Sequence, residues 1–132
     1  MLFRSNNNKP ETGVQLMKVD DFLTQENIEF VDLLKMNIEG GEYELIPFIK
    51  KILVKNHPNV YLSLHPFLLK GFLNKTLNNI KLFYSLRGYK YIYRVKKNSI
   101  FESNTLKILI NLRFPIVKNI KDPLIFTNKK FF

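Results

Sequence analysis

A chain of 132 residues, 45% of them apolar, is about the size of one ordinary domain and carries enough apolar side chains to build a core. It has no cysteine, which excludes a disulfide scaffold, a thiolate metal site and a cysteine nucleophile and agrees with a cytoplasmic protein. Its net charge of +10 is lopsided, since residues 1–69 hold 7 basic and 9 acidic side chains whereas residues 70–132 hold 14 basic and 2 acidic ones.

A basic half of this kind attracts nucleic acid, acidic headgroups or an anionic substrate over long range, or it is simply the solvated face of a lysine-rich composition. No apolar run approaches the roughly 18 residues a membrane span needs, and the first residues contain no signal-like apolar stretch.

Residues 1–13, polar and interrupted by Pro10 and Gly13, read as a ragged N-terminal segment. Val14, Leu16 and Val19 suggest a short strand that stops at Asp20-Asp21, and Phe22-Leu23 opens a brief helical segment. Phe30 to Ile38 is mostly apolar and runs into Glu39-Gly40-Gly41, the pattern of a central strand buried on both faces and ending in a turn. From Glu42 to Lys55, the apolar residues Leu45, Ile46, Ile49, Ile52 and Leu53 recur at intervals of a helix, which Pro47 permits only with a late start or a bend. His57 belongs to the end of that helix.

Val60 to His65 is the next strand, stopped by Pro66, and Leu73 to Leu86 is a second helix with Gly88 as its stop. Tyr89 to Val95 alternates as a strand does, residues 96–104 look like a loop, and Leu106 to Leu112 fits helix or strand. Pro123 to Thr127 is a last strand. Strands alternating with helices predict a mostly parallel sheet with helices on both faces, closed by an antiparallel pair at the C-terminal end.

In such sheets ligands bind outside the carboxyl ends of the strands. Two strand-to-helix turns therefore stand out, Lys35 to Glu42 and Ser63 to Pro66. Parallel neighbours would bring Asn37, Glu39 and His65 to one edge, a set suited to general-base work or to holding a metal. Each has an equally simple structural role: Glu39 accepting hydrogen bonds from its turn, His65 ending a strand, Asn37 satisfying nearby backbone.

The segment Val19-Asp20-Asp21-Phe22-Leu23, followed by Asp32-Leu33-Leu34-Lys35-Met36-Asn37-Ile38-Glu39-Gly40-Gly41-Glu42, resembles the pattern of FkbM-family methyltransferases. Leu62-Ser63-Leu64-His65-Pro66 is similar to the family's next strand, which commonly ends in histidine, and Gly88-Tyr89 resembles the pair before a later strand. The resemblance implies a Rossmann-like class I fold of seven strands that transfers a methyl group from S-adenosylmethionine, usually to an oxygen of a sugar or polyketide-like acceptor. On that basis His65 and Glu39 are the expected catalytic residues, His65 as base and Glu39 orienting the imidazole or the substrate, with Asn37 and Glu42 toward the substrate and no metal. Asn37 stands where the family usually has Asp, which removes a charge from the turn.

The resemblance starts near residue 14, so the family's glycine-rich loop and its ribose-binding acid would precede it. None of the five glycines forms a G-x-G spacing. The resemblance thus implies that residues 14–132 are the C-terminal part of a methyltransferase domain, inactive alone and poor at binding the cofactor. Its implied partners are a small-molecule or glycan acceptor and a missing N-terminal half, or a second copy of itself. The alternative function is a non-enzymatic basic module whose second half contacts nucleic acid or an anionic glycan.

Overall fold

The computed structural model describes residues 17–111 and 120–132. It divides the chain into two units, residues 1–30 and residues 31–132. In the first, α1 (Val19–Gln25) starts with Asp20 and Asp21 in its first turn, where carboxylates oppose the positive end of the helix dipole. Val19 is therefore helical rather than part of a strand, and the expected strand residues Val14 and Leu16 lie outside the described residues.

The second unit runs β1 (Leu33–Met36), α2 (Glu42–Phe48), α3 (Lys50–Asn56), β2 (Asn59–Leu62), a 3-10 turn (Pro66–Leu68), α4 (Phe72–Ser85), β3 (Tyr91–Lys96), β4 (Ser99–Glu102), α5 (Asn104–Asn111) and β5 (Leu124–Thr127). The expected long helix is broken at Ile49 because Pro47 has no N–H for the helical ladder and its ring crowds the carbonyl four residues back. Helix α3 ends on His57, which adopts the left-handed conformation with φ 46°. Helix α4 packs on α2 and ends in tight turns from Leu86 and Arg87 back to Phe83 and Tyr84, ahead of Gly88.

The five strands lie in the order β1-β2-β5-β3-β4. As expected, β1 and β2 are parallel neighbours, with Leu34 opposite Val60 and Met36 opposite Leu62. The rest of the sheet corrects the expectation of a mostly parallel arrangement. β5 enters antiparallel between β2 and β3, and β3 pairs antiparallel with β4, so the fold is α/β with a mixed sheet. β4 itself is the expected loop: Lys96 pairs with Ser99 across a two-residue turn, and all four β4 residues are exposed. A solvated edge strand needs no apolar run, so hydrophobic patterning gives no sign of it. The segment from Leu106 is settled as helix α5, which contacts β3, while Leu112 lies outside the described residues.

β1 is an edge of this sheet rather than its centre. Leu33 is 63% exposed and Phe30 57%, whereas Val60, Leu62, Leu124 and Phe126 of the inner strands are fully buried. The apolar run around β1 predicts burial on both faces, but among the described residues only Met36 of the strand is buried.

Two phenols tie helices to this core. Tyr89 donates its O–H to the carbonyl of Pro58 at 2.6 Å and meets Phe126 edge to face at 6.1 Å. Tyr43, in α2, is buried, and its hydroxyl has no hydrogen-bond partner among the described residues. Burial pushes both pKa values well above the ordinary phenol value, and the neighbouring Glu42 carboxylate adds to the shift at Tyr43. Both protons are therefore held more tightly folded than unfolded. Their stabilising contribution is complete below about pH 10, where an unfolded tyrosine ionises, and falls as the pH rises above it. Denaturant melts between neutral pH and strongly alkaline pH are expected to show this loss. Tyr43→Phe is expected to flatten the alkaline slope at little cost in neutral stability, because its hydroxyl makes no bond to lose; an unchanged slope in that variant would contradict the assignment.

Candidate active site

The turn after β1 is built by its own backbone demands. Glu39 and Gly40 both have positive φ, 49° and 99°, and a Cβ on Gly41 would lie 2.9 Å from Cδ1 of Ile38. At Gly40 glycine enters this conformation without strain, and at Gly41 an added Cβ would require the Ile38 side chain to shift. This tight turn points the backbone N–H groups of Ile38 and Gly40 at the start of α2. Glu42, fully buried there, accepts from Ile38 N at 2.9 Å through Oε1 and from Gly40 N at 2.7 Å through Oε2.

Glu42 has a third partner. Its Oε1 lies 2.8 Å from Nδ1 of His65, the residue that follows β2 by three positions. An ionised carboxylate only accepts, so Nδ1 carries the proton, and in the neutral imidazole the lone pair is then on Nε2. The side chain of His65 keeps 21% exposure while that of Glu42 has none. A buried carboxylate thus fixes the tautomer and orientation of a solvent-accessible imidazole, as an orienting acid does for a catalytic base. Phe67 meets the imidazole edge to face at 5.8 Å.

His65 lines a cavity of about 460 Å³. Asn37 joins it from the end of β1, Ser63 from the end of β2, Phe67 from the 3-10 turn, and Lys121 and Pro123 from the segment that leads into the antiparallel β5. The cavity therefore sits at the carboxyl ends of β1 and β2, the edge at which α/β sheets bind ligands, and its volume suits a small organic molecule.

The structure brings Asn37 and His65 to this cavity as the sequence suggests, but it exchanges the two glutamates. Glu39, expected beside His65, is exposed in the left-handed bend of the turn. Glu42, expected to face a substrate, is the residue bonded to His65 and has no exposed surface with which to reach one. The four-residue span from Ile38 to Glu42 held the clue: the first turn of a helix after a glycine turn returns its carboxylate to the preceding amides. Lys121 carried no signal, since it lies in a loop 56 positions after His65. Among the described residues no three His, Asp or Glu side chains converge as a metal site, and no helix is long and apolar enough to cross a membrane.

Comparison with known proteins gives one family. The model of the methyltransferase FkbM domain matches residues 2–91, a span that includes Asn37, Glu42 and His65 and stops inside β3. No curated protein and no solved structure matches the chain.

Proposed function

The chain belongs to the FkbM methyltransferase domain family, and from that premise we propose that its described residues form the acceptor side of an S-adenosylmethionine-dependent methyl transfer to a hydroxyl oxygen. The observation that carries this reading is the 2.8 Å pairing of His65 with buried Glu42 at the wall of the strand-end cavity. A hydroxyl that gains a methyl group must lose its proton. Nε2 of His65 is the free lone pair available to take it, and Glu42 steadies the imidazolium that forms. Asn37 and Ser63 supply hydrogen-bonding groups that align the acceptor, and the neutral Asn37 does so without competing for the proton.

β1, β2 and β3 point the same way, since β2 and β3 are both antiparallel to β5, and we read them as a portion of a Rossmann-like sheet. The described residues do not fit the cofactor itself. The amide of Gly40 is taken by Glu42 and that of Gly41 by the carbonyl of Ile38, so neither glycine of this turn has an N–H to offer a ligand. With no G-x-G spacing anywhere in the chain, calorimetric titration of the 132-residue protein with S-adenosylmethionine is expected to show no binding at micromolar concentrations. A dissociation constant of about 10 µM or tighter, roughly 7 kcal/mol of binding free energy, would require a cradle these residues do not form.

The reading is tested by supplying that cradle. Residues 14–132 joined behind the cofactor-binding half of an FkbM methyltransferase are expected to transfer a labelled methyl group to hydroxylated acceptors. A folded chimera that binds the cofactor and methylates no oxygen would refute it.

A further inference from the structure

The cavity carries one charge that the transfer of a proton to His65 does not use. Lys121 lines it together with His65, and among the described lining residues there is no carboxylate. Glu42 is sealed behind the imidazole with its oxygens occupied by Ile38, Gly40 and His65. The exposed ring of Phe67, 70% accessible, offers a flat apolar surface beside polar Asn37 and Ser63. Such a mixture of one apolar plate, a few hydrogen-bonding groups and one cation suits a sugar ring bearing an anionic substituent.

We infer that the acceptor of this site is an anionic sugar, a sugar acid or sugar phosphate, whose charged group is recognised by Lys121. This rests on the acceptor-side reading above and narrows it. Lys121 lies beyond the residues that the family model matches, so the charge selection belongs to this chain's own C-terminal segment. The excess of basic side chains in residues 70–132 acts in the same direction, raising the local concentration of an anionic ligand before it docks. A lysine is suited to this task as a mobile point charge that does not demand one fixed geometry of the anion.

The test is a titration of the isotope-labelled 132-residue chain, followed by the backbone amide resonances of Asn37, Ser63 and His65. The probes are methyl β-glucuronide, glucose 6-phosphate and methyl β-glucoside, which present a carboxylate, a phosphate and no charge. At least one anionic probe is expected to bind about fivefold more tightly than the neutral one, the size of effect an exposed ion pair supplies. Lys121→Gln is expected to bring the ratio to about one; as an exposed position, it tolerates the change without loss of the fold. Which anion is preferred tells carboxylate from phosphate. Equal affinities for charged and neutral sugars, or a preference that survives Lys121→Gln, overturns the inference and leaves the acceptor reading standing. Shifts confined to surface lysines away from the cavity, or no shift at all, overturn it too, and methyl transfer by the chimera then tests the acceptor reading by itself.

Discussion

Glu42→Ala is expected to lower the melting temperature by roughly 15 °C, while Glu39→Gln leaves it nearly unchanged. The carboxylate of Glu42 is fully buried and accepts from two backbone amides and an imidazole. Its removal leaves three part-buried donors without their acceptor. Each such loss costs about 1–3 kcal/mol in isolation, and relaxation of the turn recovers part, so about 3 kcal/mol is expected in total. For a unit of about this size each kcal/mol moves the midpoint by roughly 4–8 °C. Glu42→Gln keeps one acceptor oxygen but sets an NH2 group against a donor, and it is expected to fall between the two. Glu39 is exposed and makes no such bonds, so its change stays within about 0.5 kcal/mol. Thermal melts followed by circular dichroism measure all three. Equal midpoints for Glu42→Ala and Glu39→Gln would mean that the buried carboxylate does not hold the turn.

In the chimera described above, His65→Ala is expected to reduce turnover on the order of a hundredfold, the usual contribution of a positioned general base. The imidazole also contacts Glu42 and Phe67, so a loss of activity by itself does not separate proton transfer from architecture. Added imidazole discriminates between them. A small base that diffuses into the vacated space is expected to restore part of the rate in His65→Ala, and it cannot repair a misfolded site. His65→Gln, which can still donate toward Glu42 but cannot take up a proton, is expected to keep most of the stability and to remain as slow as the alanine variant. Turnover at the original rate in either variant, or losses that merely follow the fraction unfolded, would remove His65 from the chemistry.

Together the two variants separate the roles that one dyad combines. Glu42 faces the protein and His65 faces the cavity, so a change at Glu42 is expected to act on stability first and on rate through the orientation of the imidazole.

The sequence by itself determined the strand pair at the centre of the site. The apolar run before Glu39-Gly40-Gly41 and the run before Pro66, separated by a segment of helical period, specify parallel neighbours, because a helix of that length returns the chain to the same end of the sheet. From that pairing it follows that Asn37 and His65 share an edge, as the cavity lining shows. The family, too, was legible in the residues around Asp32 to Glu42 and in His65.

Tertiary structure alone decided three further points. Whether Glu39 or Glu42 meets His65 depends on a turn with two consecutive positive φ angles, which swings the first glutamate out to solvent and the second inward. Residue spacing does not encode the sign of φ at a glutamate. The position of β5 between β2 and β3 depends on which edges are free when the chain returns, a matter of long-range pairing that local pattern does not carry, and it makes the sheet mixed. That insertion is also what brings Lys121 to the cavity, since a strand antiparallel to β2 begins beside the end of β2. A lone lysine in a loop has no period and no partner in the sequence, and it becomes part of a site only when the sheet places its start beside the end of β2.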